Sequence, residues 1–457
     1  MLGAKPGRLV DEGPRIADID FSGYRMRVPT DRYHAREYAE RERTSLWMRT
    51  WQVVGRCDDI PKPGDWFEYR LFDQSWILVR GRDEKIRGFV NACRHRGNAF
   101  CEGKGHAARF TCPYHNWSYG LDGKLLAVAR PDFEGTLEEF VGAKEELGLI
   151  AAPVETFAGF IFLNPDAGAA PLADFLGEAM ELLAPYRVDE MIPFGINVRE
   201  NIDCNWKVVM DAFQEGYHIQ GVHPELVAAM DESQERYRFC GDHSVATAPF
   251  GASNLAEASL EEQVDAIRRL PGTFPAVADS LPRFEQLFEE YRRADCTMPA
   301  ASEVPLRSIL QQAMRESWEA KGLDVSGLTD NQLSDNHFWI LFPNFFLTIH
   351  AGEGTLIMAF PCEDGDPNRC TWHVQNLQWF PPEARAANRT PLTVVPEGEH
   401  FPYFLALEQD YEQMQHQQRG LRNTTQGWLT LTRQEVRLAH FHAALSSWVE
   451  GDTPARG

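Results

Sequence analysis

The 457-residue chain carries 67 acidic against 45 basic side chains, and its net charge of −22 disfavours nucleic acid or an anionic membrane as partner, since both call for a positive surface. No run approaches the roughly 18 apolar residues of a membrane span, and the opening MLGAKPGRLVDEGPR lacks the apolar stretch of a secretory signal, so a soluble, cytoplasmic protein is expected. The length exceeds what one core usually serves, which points to two domains, and nine irregularly spaced cysteines fit a reducing compartment better than a secreted disulfide framework.

Residues 1–44 read as an arm rich in Pro, Gly and charge followed by an exposed helix, DRYHAREYAERERTSLW, the whole expected to pack on the second domain. From Trp47 to about Pro165 the pattern changes to short β-like runs, WQVVGR, WFEYRL, SWILVRG, IRGFVNA and FAGFIFLN, broken by Gly, Pro and Asp, so a small all-β domain is expected over 45–165. Residues 166–200 read as linker and helix, and Asn201 to about Glu225 as a helical segment ending at Pro224. Residues 255–330 read as a helical insertion acting as a lid, with Phe284, Leu287, Phe288 and Tyr291 at helix spacing. HFWILFPNFFLTIH, the turn AGEG and TLIMAF predict a β-hairpin, followed by the strand CTWHVQNLQWF. A helix from about His400 to Gln418 is expected to stop at Gly420, and a last helix covers 432–449. The fold class is therefore α+β, with antiparallel sheet at the core of a second domain over 166–457.

Cys93, His95, Cys112 and His115 form C-x-H, sixteen residues, then C-x-x-H, so each of two loops offers one thiolate and one imidazole. A Cys2His2 set also suits zinc. The surroundings favour a larger group: both pairs lie in hairpin-like loops, with Gly97, Gly103, Gly105, Gly120 and Gly123 allowing tight turns. NACRHRG and CPYHNWSYGLDGK resemble the first and second ligand loops of Rieske domains. The resemblance implies a [2Fe-2S] cluster with Cys93 and Cys112 on one iron and His95 and His115 on the other. Neither loop has the extra cysteine of respiratory Rieske proteins, so the similarity is to the oxygenase and ferredoxin branch. Cys101 stands outside either motif, and Cys57, Cys204, Cys240, Cys296, Cys362 and Cys370 read as plain thiols.

A Rieske cluster only carries electrons, and NWKVVMDAFQEGYHIQGVHP offers a place to use them. His218 and His223 are five apart, about 140° on an ideal helix, so they can share one ion only if the helix ends between them. Pro224 supplies that end, because the residue before a proline is pushed out of the α region. Glu215 lies one turn before His218 on the same face. A third, carboxylate ligand would complete a facial triad, and the late helix offers Glu408, Asp410 and Glu412, among which periodicity does not choose.

NWK followed by E-x-Y-H-x4-H resembles the catalytic signature of Rieske non-haem iron oxygenase (ring-hydroxylating oxygenase) α subunits. The resemblance implies His218 and His223 as ligands of a mononuclear Fe(II). It makes Asp410 the third, through an Asp followed ten residues later by Gly in Q-x-G-L. Glu215 then takes the bridging position that links this iron to a Rieske histidine of a neighbouring subunit. Many members have Asp there, and many have Asn where this chain has Ala212, so no role of that Asn carries over. Also implied are a helix-grip (START/Bet v1-like) catalytic domain with a long C-terminal helix, and a head-to-tail homotrimer with or without a small β subunit. Electrons would come from NAD(P)H through a separate flavin reductase and, in some systems, a ferredoxin, since no dinucleotide-binding fingerprint is present. The reaction would combine O2 with a small, aromatic or ring-containing organic substrate. Quaternary amines and oxidative demethylation are the alternatives within the family, and a Rieske electron carrier or a hydrophobic-ligand binder the alternatives outside it.

Overall fold

The Gly, Pro and Asp residues between the apolar runs of the first domain end each strand after a few residues. In the computed structural model of the protein these runs become β1 (Gln52–Arg56), β2 (Asp65–Leu71), β3 (Gln74–Arg80), β4 (Ile86–Val90), β5 (Lys104–His106), β6 (Phe110–Thr111), β7 (Ser118–Tyr119), β8 (Leu125–Ala127), β9 (Ala151–Ala152), β10 (Val154–Phe157) and β11 (Phe160–Leu163). The structure describes residues 12–128, 144–227, 232–249, 259–272, 274–294, 305–423, 425 and 427–451. The strands form a five-stranded sheet in the order β9-β4-β3-β2-β5 and two three-stranded sheets, β10-β11-β1 and β6-β7-β8. A core of Ile77, Val79, Phe89, Phe110, Trp117 and Tyr119 takes in Cys93 and Cys112, so the two sulfurs belong to the packed interior.

The chain divides into two compact units, one of residues 40–175 with 361–366, the other of 1–39, 176–360 and 367–457. The sequence reading puts the corresponding boundaries at 44/45 and 165/166. In the second unit an eight-stranded sheet runs β13-β14-β15-β16-β17-β18-β12-β19, made of β12 (Met191–Ile202), β13 (Arg236–Cys240), β14 (His243–Ala248), β15 (Asn336–Leu341), β16 (Phe345–His350), β17 (Glu353–Pro361), β18 (Cys370–Trp379) and β19 (Thr393–Val394). Its central pairings are antiparallel, as expected, and the short β19 adds a parallel edge. The predicted single arm HFWILFPNFFLTIH is in fact two strands, β15 and β16, because the turn at Phe342–Asn344 contains Pro343, which cannot donate to a ladder.

Three further expectations are corrected. The charged N-terminal helix is not simply exposed: it is short, α1 (Arg36–Glu42), and Tyr33 and Tyr38 beside and within it are fully buried. The Asn201–Glu225 segment is two helices, α2 (Trp206–Ala212) and the single turn α3 (Ile219–Val222). The insertion contains α4 (Leu260–Arg269), α5 (Leu281–Ala294) and α6 (Leu306–Lys321), whose buried faces join Phe284, Leu287 and Phe288 to Ile219 and Leu226 in one cluster. Positions 255–258, 273 and 295–304 of that stretch lie outside the described residues. The late helix α7 (Leu405–Asn423) runs straight through Gly420, and α8 (Val436–Glu450) is the last. No helix among the described residues is long and apolar enough to cross a membrane.

Candidate metal centres and the cavity between helix and sheet

Cys93 follows β4, and Cys112 lies between β6 and β7. Their loops close in the same way. Gly97 N–H donates to the Cys93 carbonyl at 2.8 Å and Cys93 N–H to the Asn98 carbonyl at 2.9 Å. In the second loop Asn116 N–H donates to the Cys112 carbonyl and Cys112 N–H to the Trp117 carbonyl, each at 2.9 Å. In both, the residue four after the cysteine has positive φ, 74° at Gly97 and 55° at Asn116, which turns the chain back on the thiol. The thiols are buried, His95 is exposed and His115 half-buried. The two imidazoles stand 4.5 Å apart between ring centroids, with His95 stacked on Trp117 at 4.9 Å. Tyr119 hydroxyl accepts the Arg94 N–H at 3.0 Å, so its own proton is free to point at Cys93 Sγ, 3.2 Å away.

The second set draws on distant elements. Asn205 caps α2, its side chain accepting the Lys207 N–H at 3.0 Å, while its own N–H donates to Gln418 Oε1 of α7 at 3.0 Å. That pair fixes α7 along α2. Beyond α2 the chain breaks at Phe213, and α3 has His218 at its first end and His223, at φ −121° and ψ 62°, at its last. His218 is thus not inside a continuous helix as expected: one helical turn separates two histidines that both face inward, with ring centroids 5.1 Å apart. Glu215 accepts both the His218 backbone N–H and its Nδ1, each at 2.9 Å. Gln409 Oε1 does the same for His223 Nδ1 at 2.7 Å. With both Nδ1 atoms engaged, both Nε2 atoms face Asp410 Oδ1, at 3.8 Å from His218 and 3.1 Å from His223.

Among the described residues, His218, His223 and Asp410 offer three ligand atoms all within 4.8 Å of one another, and the Cys93–His115 set forms no such group. The cysteine–histidine set, two buried thiols and two imidazoles 4.5 Å apart between ring centroids, offers the donors of a cluster with sulfur on one iron and nitrogen on the other. The tight set has the composition of a two-histidine, one-carboxylate triad. Glu408 is turned away, accepting from His400 at 2.7 Å and from the Tyr403 N–H at 3.0 Å, and Glu412 lines an outer polar cleft of about 450 Å³. Of the three carboxylates left open by periodicity, Asp410 is the one among the histidines.

Burial alone would lower the His218 pKa, but the hydrogen bond it donates to Glu215 and the charges of Glu215, Asp410 and Glu235 outweigh it and raise the value to about 9. Glu235 is pushed up to about 7, chiefly by burial, despite the Tyr237 hydroxyl at 2.6 Å. Arg437 of α8 is fully buried and brought down to about 10 by that burial. It donates to the Gln214 carbonyl at 3.1 Å, next to Glu215, and to the Phe338 carbonyl at 2.7 Å. Sequence reasoning missed Gln409 and Arg437; an arginine inside the apolar stripe VRLAHFHAAL was the one available signal.

The triad opens on a cavity of about 110 Å³, walled by Phe213, Ile219, Leu226, Phe274, Phe338, Phe346, Ile357, Phe404 and Leu407 with Asn336, Thr348 and Thr355.

Comparison with known proteins agrees with these two centres. The family model of the ring hydroxylating alpha subunit (catalytic domain) matches residues 183–451, and that of the Rieske [2Fe-2S] domain residues 50–138. The chain is 35% identical to the glycine betaine monooxygenase oxygenase subunit of Chromohalobacter salexigens over 42% of each chain. It is 28% identical to the carnitine monooxygenase oxygenase subunit of Acinetobacter baumannii over 50% of this chain and 60% of that one. To biphenyl 2,3-dioxygenase subunit alpha of Rhodococcus jostii it is 36% identical over 46% and 47%. The chain therefore spans about half the length of the curated relatives it matches. Among solved structures, a quaternary ammonium Rieske monooxygenase shares the fold with a TM-score of 0.61 at 17% identity, over 97% of this chain and 100% of that one. Naphthalene 1,2-dioxygenase with indole bound gives 0.62 at 17%, over 96% and 94%. The chain belongs to the ring hydroxylating alpha subunit family of Rieske oxygenases, whose cofactors are a [2Fe-2S] cluster and a mononuclear iron.

Proposed function

We propose that the chain is the oxygenase component of a multicomponent Rieske system that hydroxylates a small, ring-containing organic substrate with O2 and electrons derived from NAD(P)H. The observation that carries this reading is the triad of His218, His223 and Asp410 opening on an apolar cavity, in a chain that also has a Rieske domain. Cys93 and Cys112 would hold one cluster iron and His95 and His115 the other, and His218, His223 and Asp410 the catalytic iron. When bound, the cluster supplies electrons one at a time and the mononuclear iron supplies open positions for O2.

The chain's own residues do the rest. Glu215 and Gln409 orient the two imidazoles, and Glu215 is the residue through which the catalytic site would communicate with the cluster of a neighbouring subunit. The phenylalanine wall excludes water and holds the reacting carbon near the triad. Arg437 fixes the Gln214 carbonyl and so the position of Glu215. Inter-subunit electron transfer is described for the quaternary ammonium relative, and by that likeness we place this chain in a homotrimer served by a flavin reductase, with or without a ferredoxin. None of the eight described cysteines is in a disulfide, in keeping with a reducing compartment, the cytoplasm.

A second reading, oxidation of a quaternary amine, is favoured by the names of two of the relatives and by a phenylalanine wall able to face a cation. Iron and acid-labile sulfide content on anaerobically purified protein, with EPR before and after dithionite, tests the function. About three irons and two sulfides per chain with a Rieske-type reduced signal are expected, and zinc without sulfide would refute it.

A further inference from the structure

We propose that Asn336, oriented by Thr348, is the specificity-determining residue of the cavity, and that it selects a neutral single-ring substrate bearing one hydrogen-bond acceptor. The inference rests on the reading of this cavity as the substrate pocket. Alternate positions of three neighbouring strands face it: Asn336 and Phe338 on β15, Phe346 and Thr348 on β16, Thr355 and Ile357 on β17. The register sets Thr348 opposite Phe338 on one side and Thr355 on the other, so the polar members form one stripe along an otherwise apolar wall.

The Thr348 hydroxyl donates to Asn336 Oδ1, and the Thr355 hydroxyl continues the stripe to Asn376 Oδ1 at 3.1 Å. The carbonyl side of the Asn336 amide is therefore taken. Its Nδ2 donates to no described residue, and the side chain, only 2% exposed, lines the cavity, so that amide donor is available to a molecule held there. A ligand acceptor in the cavity would take the place of solvent on that donor, whereas an apolar ligand would strip the solvent and leave it unpaired.

Charge narrows the class. No Lys or Arg is among the described lining residues, and the ionisable groups are Glu215, His218, His223 and Asp410. A carboxylate-bearing substrate, including a betaine, would place its anion beside Glu215 and Asp410, with neither lysine nor arginine in the lining to pair it. Size narrows it again: about 110 Å³ is smaller than the roughly 150 Å³ of a cavity that takes benzene, so no more than a single ring is held inside it.

The test is calorimetric titration of the purified holoenzyme with acetophenone, ethylbenzene and glycine betaine. Acetophenone is expected to bind about tenfold more tightly than ethylbenzene, and glycine betaine more weakly than either. Asn336→Leu should bring the acetophenone to ethylbenzene ratio close to one. Thr348→Val, which frees the amide to rotate, should reduce the ratio by about threefold, and it decides the matter if the first variant does not fold. Equal affinities in the wild type, a ratio unchanged by the variant that folds, or betaine binding as tight as acetophenone would overturn the proposal. Binding requires no turnover, so the two readings fail separately. Discrimination in a protein without catalytic iron would refute the oxygenase activity alone, and iron with no discrimination would refute this inference alone.

Discussion

Cys93 and His95 are separated by one residue, Cys112 and His115 by two, and each pair is held by the same backbone closure within six residues of chain. Asp410, by contrast, lies 187 residues from His223, and its place depends on Gln418 meeting Asn205 and on Arg437 holding a carbonyl 223 residues earlier. The first set is local geometry that a short sequence can specify. The second is tertiary geometry, as good only as the packing of α2, α3, α7 and α8. Damage to remote packing should therefore cost the mononuclear site and leave the cluster loops untouched.

The largest effects come from the donors themselves. Cys112→Ser is expected to remove the acid-labile sulfide while the triad still binds ferrous iron. His223→Ala should keep the sulfide and lower iron from about three to about two per chain. Both should reduce turnover by at least about a hundredfold, measured as product formed per O2 consumed. Loss of sulfide in His223→Ala would mean that the two centres are not independent.

Arg437→Met sharpens the comparison, because it touches neither donor set. It leaves the Gln214 and Phe338 carbonyls without their buried donor, at a cost of about 1–3 kcal/mol for each carbonyl left unpaired. Ferrous iron affinity at the triad should fall about tenfold with sulfide content unchanged. Gln409→Leu should give a similar loss of affinity with almost no change in melting temperature, since it removes only the group that orients His223.

Glu235 tests the electrostatics of the same region. Its carboxyl titrates near 7 in the folded chain against 4.5 ordinarily, so the folded state holds the extra proton between those values. Stability contributed by the neutral form is fully present below about 4.5 and is lost as pH rises through 7, by on the order of 3 kcal/mol. Glu235→Gln should match the wild type at low pH and be the more stable at pH above about 7, read from denaturant midpoints. Parallel pH profiles for the two proteins would rule this out.

The β runs, the hairpin region and the cluster loops were legible because alternation, turn residues and donor spacing are local signals. Three features were not, each for a tertiary reason. α7 passes through Gly420 because buried Leu421 and the hydrogen bonds of Gln418 hold its last turns, outweighing the roughly 1 kcal/mol that a helical glycine costs. The N-terminal charged segment looks solvated in sequence, yet Tyr33 is buried with its hydroxyl on Asp211 at 2.6 Å and His442 at 2.9 Å. His218 and His223 were readable as partners from Pro224, but the break between α2 and α3 carries no proline, only Gly216, and Gln409, which orients His223, lies in another helix.

The smallest predicted effect probes the local set. Tyr119 hydroxyl accepts from Arg94 N–H and lies 3.2 Å from Cys93 Sγ, so a proton donated to that sulfur would stabilise the extra negative charge of the reduced cluster more than the oxidised one. Tyr119→Phe removes that bond without emptying the space, as the ring stays stacked on Phe100 at 5.9 Å. A hydrogen bond of about 0.5–1.5 kcal/mol corresponds to a potential roughly 20–60 mV more negative in a one-electron couple. Redox titration followed by EPR measures it, with iron and sulfide content expected to stay at the wild-type level. An unchanged potential would mean that the phenol proton points elsewhere, and a loss of sulfide that Tyr119 is needed to build the loop and not merely to tune it. In the first case the contrast between a locally closed cluster and a remotely held triad would stand; in the second the cluster would share the triad's dependence on its surroundings.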